Sequence, residues 1–181
     1  MRIVGKNFTL RDLCLEDAEL MYEWMSNPDI FSKMQYNPKQ QSVEKCKDFI
    51  RKSWNLQNDL HLAVTDINDL YLGTVSLKNI NLLDQKAEFA IGMHPKAMGT
   101  GAAKFALYSI IQYAFKQINL NKVYLYVRKD NIRAIKFYEK NHLEYEGCFK
   151  EHMYIDGNFF DIYWYAMRKS QFKDWEKNIG F

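Results

Sequence analysis

The chain has 181 residues, 48% of them hydrophobic and 15% aromatic, against three prolines and eight glycines. That is enough apolar material for one globular domain with a real core, and too little linker composition for a disordered chain. The formal net charge is +3, with 25 basic side chains scattered among 22 acidic ones; no basic block forms, which argues against a nucleic-acid partner and leaves anionic small molecules open.

MRIVGKNFTLRDL reads as an opening strand, in which Phe8 and Leu10 alternate with Thr9 and Arg11. It holds no apolar stretch of signal-peptide length, and no later run approaches the roughly 18 apolar residues of a membrane span, so a cytoplasmic protein without a membrane partner is expected. Leu15, Ala18, Met21, Tyr22 and Met25 recur at helical spacing, with Asn27-Pro28 as the stop signal. Val43, Cys46, Phe49, Ile50 and Trp54 mark a second helix, although Ser42 is followed three residues later by Lys45 and not by the acid of a capping box. LHLAVTD, YLGTVSLKNI and AEFAIGM read as three strands. A long helix after Gly101 carries Ala103, Leu107, Ile110, Ile111 and Ala114, and KVYLYV has the pattern of a central strand covered on both faces. NIRAIKFYEKN is a short helix, and EYEGCFKEHMYI and FFDIYWYAM form a hairpin about Asp156-Gly157.

The expectation is a single α/β domain over residues 1–181, a mixed sheet of about seven strands flanked by about four helices, ending in a β-hairpin. Cys14, Cys46 and Cys148 are odd in number, far apart and without histidines at ligand spacing. Free thiols in a reducing compartment, and no metal, are the expected reading.

Between AEFAIGM and the long helix lie Pro95, Lys96, Ala97, Met98, Gly99, Thr100 and Gly101. Glycines let a backbone approach a ligand closely, and a helix N-terminus offers N–H groups and partial positive charge; together they suit phosphate. A tight loop holding nothing is the alternative. A Walker loop fails because Gly101 is followed by Ala-Ala-Lys, and a dinucleotide fingerprint fails because Lys104 stands where its third glycine belongs.

Lys96-Ala-Met-Gly99-Thr-Gly101 resembles the [Arg/Gln]-x-x-Gly-x-[Gly/Ala] pyrophosphate loop of the GNAT acetyltransferase superfamily, and Asn131-Ile-Arg-Ala134-Ile-Lys-Phe-Tyr138-Glu-Lys140 resembles that family's Asn-x-x-Ala-x-x-x-Tyr-x-Lys segment. The element order matches over nearly the whole chain. The resemblance implies transfer of an acetyl group from acetyl-CoA to an amine, by direct attack in a ternary complex. It places the CoA pyrophosphate on the backbone from Met98 through Gly99 and Thr100 to Gly101. The pantetheine arm then lies between two splayed strands, beside Ile91 and Met93, and bonds Asn131. Tyr138 falls on the tyrosine that protonates the departing thiolate, and Glu88 on the strand glutamate proposed as base; a water chain, His94 and His152 are other routes for the amine's proton. Two departures stand out. Lys96 lacks the planar fork of arginine, and Asn141-His142-Leu143 replaces the family's x-Gly-Phe after the lysine, at positions that tolerate the left-handed region.

The acceptor in this superfamily is chosen by the first two helices, their connection and the C-terminal hairpin. Trp24, Asn27 and Pro28 resemble the branch containing ribosomal-protein N-terminal, spermidine and nucleotide amino-sugar acetyltransferases. Asn37 to Ser42 is poor in the carboxylates that a polycation needs. Phe31, Tyr36, Tyr154 and Trp164, with Lys33, Lys39 and Lys150, suit the stacking and diphosphate contacts of a nucleotide-linked amino sugar. A protein N-terminus or a polyamine is the alternative acceptor, and a non-catalytic acyl-CoA sensor the alternative class. The aromatic hairpin also suits a homodimer contact.

Overall fold

The computed structural model describes residues 1–31 and 41–178. In chain order the elements are strands β1 (Arg2–Val4) and β2 (Phe8–Asp12), helices α1 (Ala18–Met25), α2 (Pro28–Phe31) and α3 (Val43–Ser53), and strands β3 (Leu60–Asp66), β4 (Tyr71–Asn81) and β5 (Lys86–Met93). Helix α4 (Ala102–Lys116), strand β6 (Lys122–Arg128), helix α5 (Ile132–Lys140), the hairpin β7 (Glu144–Ile155) and β8 (Asn158–Arg168), and helix α6 (Lys169–Asn178) follow. The strands form one eight-stranded sheet in the order β1-β2-β3-β4-β5-β6-β8-β7. This is the mixed α/β fold read from the sequence, with β1 a separate strand and α2 and α6 added. The β5–β6 pair is parallel, and such a pair needs a crossover, which α4 supplies.

The chain divides into two compact units, Met1–Ile80 with Phe89–Ile111, and Asn81–Glu88 with Gln112 onward. In the first, α1 and α3 bury Met21, Trp24, Cys46 and Ile50 with Ala63 of β3 and Tyr71 of β4. The start of α1 is pinned by an ion pair: Arg11 donates to both carboxylate oxygens of Asp17 at 2.8 and 2.9 Å, and the Cys14 N–H donates to Asp17 at 2.9 Å. Helix α3 needs no capping-box acid, because Ser42 Oγ accepts the Lys45 N–H at 3.2 Å and Arg51 and Lys52 sit against the negative end of the dipole. Asn27-Pro28 ends α1, but proline is also at home in a first helical turn, and α2 begins on it.

In the second unit β6 departs from its expected burial. Val123, Leu125 and Val127 are buried, whereas Tyr124 is half-buried and Tyr126 exposed. That second face is an aromatic ledge in which Trp164 lies 5.8 Å from Tyr124 and 5.4 Å from Tyr126, centroid to centroid. Asp156 and Gly157 have φ of 47° and 84°, the two positive values of a type I′ hairpin turn. Helix α6 shows only Phe172 and Trp175 as an apolar stripe, too short to declare itself in sequence. It is held by Phe172, edge-on to Phe115 of α4 at 5.4 Å, with Trp175 of the same helix 5.7 Å from Phe172. Among the described residues no helix is long and apolar enough to cross a membrane.

Candidate active site

Beyond β5, His94 caps a 3₁₀ turn over Pro95–Ala97, its Nδ1 accepting the Lys96 N–H at 3.1 Å. Thr100 Oγ1 donates to Ala97 O at 2.8 Å and accepts the Ala102 N–H at 3.2 Å, which turns the chain into α4. Gly99 and Gly101 have φ of +74° and +92°, and a Cβ at either would meet nothing within 4 Å. The glycines are there for conformation, and the space beside them is open. The first bond of α4 runs from Phe105 N–H to Gly101 O at 3.0 Å, while the Met98 and Thr100 N–H groups donate to Pro95 O at 3.0 Å and to Ala97 O at 3.3 Å; the positive end of the α4 dipole beside this turn favours an anion. Lys96, Met98, Gly99, Thr100 and Gly101 are all exposed, while Ile91 and Met93 are half-buried on β5. This stretch fits a CoA pyrophosphate.

Asn131 caps α5, its side-chain oxygen accepting the Ala134 N–H at 3.3 Å; any ligand contact of that side chain falls to its amide donors. Tyr138 is 8% exposed, and burial pushes its phenol pKa up, so it holds its proton at neutral pH as an acid toward a thiolate must. The replacement of the glycine cap is absorbed. His142 takes φ of 62° and the Leu143 N–H donates to Tyr138 O at 3.1 Å, closing α5 without glycine. Glu88 on β5 is buried, opposite Tyr124 of β6 in register, and by alternation shares its strand face with Ala90 and Gly92.

The first unit contains a cavity of about 420 Å³ walled by Met21, Trp24 and Met25 of α1, Phe49 of α3 and Ile91 of β5. A Cβ at Gly92 would stand 2.4 Å from Trp24 Cη2, so only glycine lets the indole lie against β5. Trp24 Nε1 donates to Tyr71 Oη at 3.1 Å, which lies 2.7 Å from Thr74 Oγ1, and this chain fixes the wall. Thr74, Ser76 and Lys78 reach the cavity from alternate positions of β4, His61 from β3, and Gln41 and Lys45 from in and before α3. No carboxylate lines it among the described residues. Burial, helped by Lys78 and opposed by Asp59, pulls the His61 imidazole pKa below its ordinary value.

Of the acceptor residues expected from sequence, Phe31 ends α2, and Tyr36, with Lys33 and Lys39, lies outside the described residues. Tyr154 is exposed at the hairpin tip, 4.9 Å from Phe159, and Trp164 belongs to the β6 ledge; neither lines the cavity. His152 is exposed beside Phe149 and His94 is buried beneath the glycine turn. Cys46 is on the cavity wall; burial pushes its thiol pKa up, which keeps it a poor nucleophile. The polar wall was missed, although its signal was present: polar residues at alternate positions of otherwise apolar strands.

An acetyltransferase (GNAT) domain family matches residues 7–144. Spermidine N(1)-acetyltransferase of Vibrio cholerae serotype O1 is 28% identical over 159 residues, 88% of this chain and 91% of that one. Acetyltransferase PseH of Campylobacter jejuni serotype O:23/36 is 30% identical over 139 residues, 76% of this chain and 82% of that one. Among solved structures, spermidine N-acetyltransferase from Vibrio cholerae in complex with CoA and spermine is similar with a TM-score of 0.82 at 27% identity, covering 92% of this chain and 98% of that one.

Proposed function

The chain belongs to the GNAT acetyltransferase family and is an acetyl-CoA-dependent N-acetyltransferase, and from that premise we propose that the amine it acetylates is carried by a nucleotide-linked amino sugar. The observation that supports this acceptor is the charge of the cavity wall, which presents Lys45 and Lys78 and no carboxylate among the described residues. An ammonium held ~7 Å from one lysine, at an effective dielectric near 20, is disfavoured by roughly 2 kcal/mol. A polyamine brings several such charges, whereas a diphosphate turns the same lysines into attraction. Trp24 and Phe49 offer faces for a sugar or base, a role the sequence had given to Tyr154 and Trp164.

In this assignment the backbone from Met98 to Gly101 and on into the start of α4 holds the pyrophosphate, with Lys96 adding charge, and main-chain groups of Ile91 and Met93 with Asn131 hold the pantetheine arm. The neutral amine attacks the thioester carbon, the carbon–sulfur bond breaks, Glu88 takes the proton lost on attack, and Tyr138 protonates the thiolate. The test is acetyl-CoA-dependent thiol release with a UDP-linked 4-amino sugar, spermidine and an N-terminal peptide. Turnover confined to the nucleotide sugar supports the reading. Efficient turnover of spermidine, which the relatives named for that substrate make the second reading, sinks it.

A further inference from the structure

An alkylammonium reaches the enzyme protonated at neutral pH. It must lose one proton before attack and a second as the amide forms. We propose that the first of these protons goes through Ser76 to His61, with Asp59 stabilising the imidazolium that results. The inference rests on the cavity being the acceptor site.

His61 and Ser76 are directly opposed across the β3–β4 ladder, both line the cavity, and His61 Nδ1 lies 2.7 Å from Ser76 Oγ. On the other side of the ring, Nε2 lies 3.9 Å from Asp59 Oδ2, and that carboxylate is fixed because its other oxygen accepts the Asn79 N–H at 2.7 Å. Access to solvent rises along the row: Ser76 is 6% exposed, the His61 side chain 8% and that of Asp59 32%. It is the order of a serine, a histidine and a carboxylate, in which the carboxylate supports a positive ring without itself being protonated.

The groups facing the ring leave this role to His61. Helix α3 presents Phe49, whose ring is 4.9 Å away, together with Lys45 and Cys46, and β4 presents Lys78. The buried thiol is held protonated and takes no proton at neutral pH. The imidazole, kept neutral by burial, does. In the step, the ammonium N–H proton passes to Ser76 Oγ as the serine's own proton passes to Nδ1. The amine is left neutral, the serine unchanged and the ring an imidazolium, which gives the Nδ1 proton to solvent once the product leaves. Glu88 remains the acceptor of the second proton.

The experiment compares wild type with His61→Gln, Ser76→Ala and Glu88→Gln, using a UDP-linked 4-amino sugar and spermidine as acceptors. The expected result is that His61→Gln and Ser76→Ala lose about 100-fold in kcat/KM for the amine near pH 7. The loss should shrink as pH rises and the amine deprotonates unaided, with an unchanged KM for acetyl-CoA. An unchanged pH profile in both variants overturns the proposal, as does a profile altered only by Glu88→Gln. A second measurement does not need turnover: the ¹⁵N shifts of His61 near pH 7.5 must show a bare Nδ1 and a protonated Nε2. If neither amine is acetylated the amino-sugar reading falls, and the tautomer then decides; a protonated Nδ1 overturns the relay.

Discussion

Replacing Gly92 with alanine probes the closest approach in the cavity wall. The added Cβ would stand 2.4 Å from Trp24 Cη2 and 2.9 Å from Cζ2. Carbon atoms in contact prefer ~3.5–4.0 Å, so the indole has to retreat by about 1 Å. It has little freedom to do so, being 7% exposed and tied to Tyr71 by its 3.1 Å hydrogen bond. Overpacking costs about 1–3 kcal/mol and loss of the indole bond about 1 kcal/mol. Together they amount to roughly 2–4 kcal/mol, which for a chain of this length lowers the melting temperature by about 6–12 °C. Urea titration and calorimetry of Gly92→Ala measure this directly. KM for the amine rises because the displaced ring narrows the cavity, while KM for acetyl-CoA holds. In a Trp24→Phe background the clashing atoms are gone, and the same substitution should cost under about 1 kcal/mol, a coupling that a double-mutant cycle isolates. A Gly92→Ala protein that melts with wild type, or one that loses as much stability in the phenylalanine background, refutes the reasoning.

Tyr138→Phe keeps the buried ring and removes the acid; kcat should fall about 100-fold with the KM for acetyl-CoA nearly constant, and unchanged turnover removes Tyr138 from that role. Gly101→Val forces a β-branched residue to the φ of +92° and fills the open space beside the turn, so calorimetric titration should show CoA affinity weakened by an order of magnitude or more; normal affinity would mean that the turn holds something else. Acid unfolding carries two signatures. Because the folded pKa of His61 is depressed by burial, its contribution to stability is complete above the ordinary value of 6.5 and lost as pH falls through the lower folded value. His61→Gln therefore flattens the stability–pH slope in that window, and a parallel slope contradicts the assignment. Asp161 accepts the Glu151 N–H and pairs with Lys150 and Lys129, which pull its carboxyl from 3.8 to about 2. Its contribution is present above pH 3.8 and disappears toward pH 2, so Asp161→Asn should abolish that lower phase in a denaturant titration.

What the sequence determined by itself is what neighbouring residues decide among themselves. Strand-forming runs bounded by turn residues located β3, β4 and β5, and the Asp156-Gly157 pair specified its turn because both central residues must take positive φ. Gly99 and Gly101 announced a turn that brings backbone close to a ligand, and Asn131 to Lys140 a short helix, since both are matters of a few adjacent residues. The charge and shape of the acceptor cavity belong to another class. His61 meets Ser76 only because β3 and β4 pair in one register, 15 residues apart. Trp24 lies against Gly92 only because α1 packs on β5, and Cys46 reaches the wall only because α3 turns that face inward. The aromatic hairpin shows the limit from the other side. Composition revealed Tyr154 and Trp164 but could not show that Tyr154 pairs with Phe159 and Trp164 with the β6 tyrosines. Local chemistry fixes backbone conformation; which side chains share a cavity is set by long-range packing, and only the tertiary structure decides it.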